Sequence, residues 1–463
     1  VDGTAFTYGG VFAQGTLAGV SLDRPWGMTI GADGWVYVGE EKNGGRILRF
    51  AQDGTFINVV ATGDSGGFLS KPESVEVGPD GNIYVTDAFG TSTSDCVHKI
   101  DVSDSTAVSS VFIPQSGTGY SLDNPRGLSF GPDGQAYVSD RNNNLIRKFD
   151  GSTGTFVENF AATPGNAHDL LWEGGELYVS KGSGIWRYNA DGTFNDTFLE
   201  GTVGYNIGLA TNEGEIHAAS YDNGKVYRRT GPASSVQVAP VGSEILTNPS
   251  HALFYDAQEV AALEAVADTY IDDSNADTVF GSNSLLRVEK AGGHDEWALI
   301  KWDLSGIYSG ARVDNVIFRG IQTDGFAGAG FEVFAIDQGD WDESTLTWNS
   351  WDGMSTSITS LGVMDVYGNA TDGGISIFFS DALTQTVQDW ISGAKANHGL
   401  LLKYNGSNGD TFAAREHGTF DPPMLIINYA VPEPAGAVLL VLGGLFLVLM
   451  RTATHGAGRR LPK

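Results

Sequence analysis

Five side chains of different chemistry stand where a repeated segment begins: Trp26, Glu73, Arg126, His168 and Asn206. An indole, a carboxylate, a guanidinium, an imidazole and an amide around one opening would suit a polar ligand. His168 and Glu73 would add groups able to move a proton. The residues around them recur and these do not, which is the pattern of one asymmetric site on a symmetric frame. They are the candidate ligand-binding residues of the first half, and no residue is assigned a catalytic role. Asp87 and Asp140 close equivalent segments of two repeats, a placement that suits hydrogen bonds to nearby backbone rather than a metal. No Asp-rich loop has calcium spacing. Eight scattered histidines and the single Cys96 do not make a zinc site. Phosphate-loop and dinucleotide patterns are absent, so neither metal nor cofactor is expected. Cys96 reads as a small buried or loop residue, not a nucleophile.

The frame that must position these residues is an internal repeat. Pro25-Trp26-Gly27-Met28 precedes GADGWVYVGE, Pro72-Glu73-Ser74-Val75 precedes GPDGNIYVTD, and Pro125-Arg126-Gly127-Leu128 precedes GPDGQAYVSD. Weaker copies begin at Ala167-His168-Asp169-Leu170 and Asn206-Ile207-Gly208-Leu209. Gly27, Ser74, Gly127, Asp169 and Gly208 lie 47, 53, 42 and 39 residues apart. Asp33-Gly34, Asp80-Gly81 and Asp133-Gly134 accept the positive φ of a hairpin turn. An alternating strand such as Ile83-Tyr84-Val85-Thr86 follows each turn, then a third strand such as Ile146-Arg147-Lys148-Phe149, then a fourth. Four short strands per unit at this period are the signature of a propeller blade. These segments resemble the NHL repeat over residues 1–256. The reading is an all-β propeller of six blades, with five as the alternative. Asn248 to Phe254 would open the sixth blade and Tyr8 to Gln14 would close it, with no second or third strand visible.

A different pattern begins near residue 266. Gly231 to Val241 carries little strand signal, and residues 257–265 read as a connector with at most one helical turn. The segments Ala267-Asp268-Thr269-Tyr270-Ile271, Leu285-Leu286-Arg287-Val288, Ala298 to Ser305, Trp341 to Asn349, Gly399 to Lys403, Ala414-Arg415-Glu416 and Met424 to Tyr429 follow in order. Together they resemble the DNRLRE domain over residues 266–430. That resemblance implies a β-sandwich of a kind found on secreted bacterial proteins. Related domains are classed as carbohydrate-binding modules, with acidic polysaccharide among their ligands. Short alternating strands and glycine or asparagine turns agree with a sandwich. The exception is Asp381 to Ser392, where Leu383, Val387, Trp390 and Ile391 fall at helical spacing, Asp381 can cap the start and Gly393 the end. Trp302, Trp341, Trp348 and Trp390 read as core. Trp351 and Tyr367 lie in polar, glycine-rich stretches and are the candidate sugar platforms. Arg287, Lys301 and Arg415 are candidates to pair with sugar carboxylates.

The end of the chain suggests a destination. Val431-Pro432-Glu433-Pro434 is followed by an apolar run from Ala435 to Met450, then Arg451 and a basic tail without acids. The run is short for a helix that crosses a bilayer, and the charge bias suits a cytoplasmic tail. This order resembles the PEP-CTERM sorting signal, which implies a C-terminal hydrophobic helix over residues 431–463 and handling by exosortase, a membrane protease. An export signal is expected to precede Val1. The 463 residues carry a formal charge of −29, which argues against nucleic acid as a partner. The whole reads as two independent all-β units outside the cell or at its surface, with a transient or permanent membrane anchor. The sandwich would bind polysaccharide or extracellular matrix, and the propeller a ligand or protein. The alternative is a lyase-type or polysaccharide-active enzyme with its site at the propeller mouth and the sandwich as a tether.

Overall fold

Each Asp-Gly turn is held by its own aspartate. In the computed structural model, Asp80 accepts the N–H of Asn82 at 3.2 Å and the hydroxyl of Tyr84 at 3.0 Å. Asp133 does the same for Gln135 and Tyr137, and Asp33 for Trp35 and Tyr37. Lys99 and Lys148, one strand further on, complete the cluster in the second and third units at 2.6 and 3.0 Å. The glycines of these turns take φ of 78°, 80° and 73°, where a Cβ would be strained. The spacing Asp-Gly-x-x-Tyr therefore fixes both the turn and the register of the strand after it.

The structure describes residues 6–452 outside 14–15, 18–19, 22–23, 42–43, 64–68, 89–94, 104–107, 164, 183, 201–205, 213–214, 221–224, 232–233, 240–248, 257–258, 326–329, 352–356, 366–373, 405–408, 431–436 and 444–445. Five consecutive four-stranded antiparallel sheets form a propeller. Their innermost strands are Pro25–Ile30, Pro72–Val77, Pro125–Phe130, Ala167–Glu173 and Asn206–Asn212. Each inner strand packs beside the next, and Pro249–Asp256 stands between the last and the first. A further four-stranded sheet contains that strand, in the order Phe6–Ala13, Phe446–Thr452, Ala437–Gly443, Pro249–Asp256. The apolar run expected as a C-terminal helix is thus two strands. The physical reason is the pair of open edges that Phe6–Ala13 and Pro249–Asp256 would otherwise leave. No helix among the described residues is long and apolar enough to cross a membrane.

Neighbouring blades are joined by buried hydroxyls near the ends of the second strands. Thr86 accepts the N–H of Ser74 at 2.9 Å and donates to the carbonyl of Arg126 in the next blade at 2.5 Å. Ser139 likewise links Gly127 N–H, 2.8 Å, to the carbonyl of His168, 3.1 Å. Gly127 has to be glycine there, because a Cβ would lie 2.5 Å from the His168 oxygen.

The second domain is one continuous eleven-stranded sheet curled around its core, rather than two separate sheets. Arg312–Gly325 is its longest strand and changes partner along its length, pairing first with Met424–Ala430 and later with Gly409–Ala413. Residues 259–264, expected within a connector, form an edge strand paired with Met424–Ala430. The helical turn does not form, because the sheet edge offers that segment backbone partners along its whole length. Trp302, Phe318, Phe331 and Phe412 fill the core. The helix Asp381–Ser392 closes it with Leu383, Val387, Trp390 and Ile391. Gly393 caps it at φ 75°, but the N-cap is Ser380, whose hydroxyl accepts from Leu383 N–H, and not Asp381.

The two domains touch. Ile317, Ile377 and Ile426, on the outer side of the curled sheet, share one apolar cluster with Ile57, Val75 and Ile83 of the propeller. Arg319 is buried between them and donates to the carbonyl of Phe56 at 2.5 Å and to Asp421 at 2.9 Å.

Candidate functional site

Four of the five residues expected at the propeller mouth line one cavity: Trp26, Glu73, Arg126 and His168. The backbone aims them. Arg24, Asn124 and Asn166 take φ of 55°, 61° and 55° just before the inner strands and turn the chain inward. Asn206 is a correction. It pairs with Ser220 as Pro25 pairs with Glu40 and Pro125 with Asp140, so the position equivalent to Trp26 and Arg126 is Ile207. The side chain of Asn206 lies outside the described residues.

The mouth is shut by its own charges. Arg126 forms an ion pair with Glu73, and Lys71 stands 3.1 Å from the other carboxylate oxygen. Burial pushes the Glu73 carboxyl above its usual range while Arg126 and Lys71 pull it back. The cavity between the four residues measures about 10 Å³, room for a single water. Its floor holds Asp169, whose side chain carries no signal in the repeat pattern. Burial raises that carboxyl to about 7, although its oxygens accept the N–H groups of Leu209 at 2.7 Å and Leu170 at 2.9 Å. A carboxyl titrating near neutrality is a candidate base. Each oxygen here accepts a backbone N–H, however, and the cavity beside them is the same space of about 10 Å³.

Asp87 and Asp140 hold backbone as expected: Asp87 accepts from Ser70 and Lys71, and Asp140 from Asp123 at 2.9 Å. Cys96 Sγ lies 3.2 Å from His98 Nε2. Burial and the negative charges of Asp87 and Asp95 push the thiol up to about 12, so it does not supply a thiolate. Among the described residues no group of His, Cys, Asp and Glu is placed to hold a metal ion.

The curled domain has more room. An open groove of about 620 Å³ runs between the Ala267–Lys301 strand pair and residues 340–350, lined by Lys301, Asp340, Asp342, Glu343, Thr345 and Ser350 among others. Lys301, a candidate for sugar contact, is in it, with its ammonium 2.6 Å from Asp340. Arg415 stands at its wall and is held by Glu343 at 2.5 Å, by Glu416 at 3.0 Å and by the carbonyl of Val266. Arg287 lies elsewhere, 3.7 Å from Glu296. Asp342 and Glu343 belong to the segment Trp341 to Asn349, whose pattern points to a fold and gives no sign of a groove.

Trp351 is not a platform. The short helix Trp348–Trp351 turns it under the outer face of the sheet, 1% exposed, against Leu299, Trp341, Leu346 and Leu401. Its polar sequence neighbours gave no sign of that cover. Tyr367 lies outside the described residues, as do Val431, Pro432, Glu433 and Pro434; Arg451 ends in a strand whose side chains are likewise outside them. A half-buried ring that the sequence did not single out is Trp297, packed against Trp348 with centroids 4.6 Å apart. Lys403 covers its face at 3.8 Å.

No curated protein matches the chain. Among solved structures, virginiamycin B lyase from Staphylococcus aureus is 17% identical over 51% of this chain and 76% of its own, with a TM-score of 0.38. A gluconolactonase from Xanthomonas campestris is 20% identical over 47% and 72%, TM-score 0.36. An auxiliary nutrient binding protein from Bacteroides ovatus is 14% identical over 50% and 64%, TM-score 0.41. Likeness at this level does not extend to a reaction. Residues 259–429 match Carbohydrate-binding module family 96 and residues 122–149 match the NHL repeat, so the curled domain is similar to a sugar-binding module and the third blade to a propeller repeat.

Proposed function

We propose that this is a surface-delivered polysaccharide-binding protein, with the curled domain as the binding module and the propeller as a rigid second face for protein or matrix. The observation that carries the reading is the contrast in space. The domain similar to a carbohydrate-binding module holds an open groove of about 620 Å³, within the range of small-ligand sites. The propeller mouth holds about 10 Å³ and an ion pair. Enzymatic action at the mouth, the alternative, would first have to open the Glu73–Arg126 ion pair. In this reading the sheet that contains Pro249–Asp256 serves as a sixth blade and closes the ring. The order of Val431-Pro432-Glu433-Pro434, apolar run and Arg451 supports export and sorting by an exosortase-type membrane protease. Two weak faces on one chain would gain by effective concentration on a repetitive matrix.

The test is migration of the whole protein through native gels cast with a panel of polysaccharides. Slowed migration in at least one of them is expected. Unchanged migration in every gel removes the carbohydrate reading.

A further inference from the structure

The charges that line the groove in the curled domain bear on which polysaccharide it can hold, a question that rests on the carbohydrate reading proposed for that domain. Acidic polysaccharides are held where cations outnumber carboxylates, and each cation near this groove is already matched in charge by a carboxylate. Lys301 is matched by Asp340 at 2.6 Å. The Arg415 guanidinium is matched by Glu343 and Glu416, and its backbone N–H donates to Asp268 at 2.8 Å. Arg287, outside the groove, faces Glu296. Two cations, Lys301 and Arg415, thus stand against Asp340, Glu343 and Glu416, and Asp342 adds a further carboxylate with no cation beside it among the described residues.

A uronate placed in this groove would bring its carboxylate beside Asp342 and Glu343 and would have to share a cation that another carboxylate already neutralises. The chain as a whole, at −29, repels a polyanion as well. A neutral sugar meets the opposite situation. Its hydroxyls are donors, and the lining offers acceptors: Asp340 uses one oxygen on Lys301, and Asp342 uses Oδ1 on the N–H and hydroxyl of Ser344. Thr345 adds a hydroxyl held only at 3.4 Å by the Asp342 carbonyl, while that of Ser350 is engaged with Thr347; Val266, 45% exposed, adds an apolar edge against which a sugar ring can rest. The ring that lines the groove, Trp341, is buried at 7% exposure, so recognition here is by hydrogen bonds more than by ring stacking. We propose that the groove between the Ala267–Lys301 pair and residues 340–350 is a binding site for neutral polysaccharide and that it excludes uronate chains.

The experiment uses the full chain in affinity gels at about 0.15 M salt, where long-range repulsion is largely screened. The probes are a mixed-linkage β-glucan and a galactomannan, against alginate and polygalacturonate. Thr345→Trp fills the groove from an exposed position, and its thermal transition is checked against the parent. The expected result is retardation by a neutral polymer, weakened at least tenfold by Thr345→Trp, and none by either uronate polymer. Retardation by alginate or polygalacturonate overturns the proposal and leaves the carbohydrate reading standing. Retardation by a neutral polymer that Thr345→Trp does not change overturns the site. Retardation by none of the four removes the proposal, and the wider panel of polysaccharides then decides whether the carbohydrate reading falls with it.

Discussion

Arg126 reaches from the third blade to the Glu73 carboxylate of the second, and that ion pair lies across the propeller mouth beside the pair of Glu73 with Lys71. Glu73 is 1% exposed, so its charge depends on its partners. Removing one partner of a buried pair costs about 3–5 kcal/mol, because a desolvated charge is left behind. Lys71 remains 3.1 Å away, which places Arg126→Ala at the low end of that range. Adding Glu73→Gln removes the stranded charge and should restore most of the loss. Urea unfolding of the two single variants and the double variant measures this. A double variant no more stable than Arg126→Ala would show that the pair is not what holds the mouth.

The hydroxyl links between blades predict a sharp difference between two small changes. Ser139→Ala leaves the Gly127 N–H and the His168 carbonyl without their partner, at about 1–3 kcal/mol for buried groups left unpaired. Ser139→Thr keeps the hydroxyl, and Thr86 already does this work one blade earlier. The expected order of urea midpoints is parent, then threonine slightly below or equal, then alanine well below. An alanine variant matching the parent would assign the link no weight.

How much of this was legible depended on whether the partner was near in sequence. The Asp-Gly turns, the blade period and the convergence of Trp26, Glu73, Arg126 and His168 follow from local spacing copied blade to blade. The hydroxyls of Thr86 and Ser139 recur in Ser180, which accepts the N–H of Asp169 at 2.9 Å, yet nothing local distinguishes them from ordinary strand residues. Asn206 was misplaced by one residue although Gly208 aligns with Gly27, which sets Ile207 opposite Trp26. What stayed hidden was set by distant chain. Residues 259–264 become a strand through Met424–Ala430. Trp351 is buried by strands that contribute Leu299 and Leu401. The apolar C-terminal run has no helical or strand period of its own, and hydrophobicity alone cannot choose between the two.

Two buried carboxyls make stability depend on pH in an unusual direction. Burial pushes Asp169 and Asp268 from 3.8 to about 7. The folded protein therefore binds these protons more tightly than the unfolded chain does. Their favourable contribution is fully present below about pH 4 and is lost as pH rises to about 7. Asp268→Asn removes the ionisation and can still accept the Arg415 N–H. It should be more stable than the parent at pH 8 and close to it at pH 4. Urea midpoints across that range test this, and a gap that stays constant with pH would mean that Asp268 ionises normally.

The last prediction concerns the contact between the domains, which the sequence presented as independent. Ile317, Ile377 and Ile426 alternate with core residues Val316, Phe378 and Leu425, so the curled sheet is apolar on both sides at this place. Burying an isoleucine is worth ~1.5–3 kcal/mol, so three of them couple the domains by an amount on the order of 5 kcal/mol. Arg319, 3% exposed and held by Phe56 and Asp421, adds a polar lock that has no partner on the propeller side if the domains part. Calorimetry of the full chain should then show one cooperative transition. Ile317→Asp with Ile426→Asp should split it into two, because each new carboxylate enters the apolar cluster that holds Ile57 and Val75 unless the domains separate. Two transitions in the parent, unchanged by the substitutions, would mean that the contact does not persist in solution.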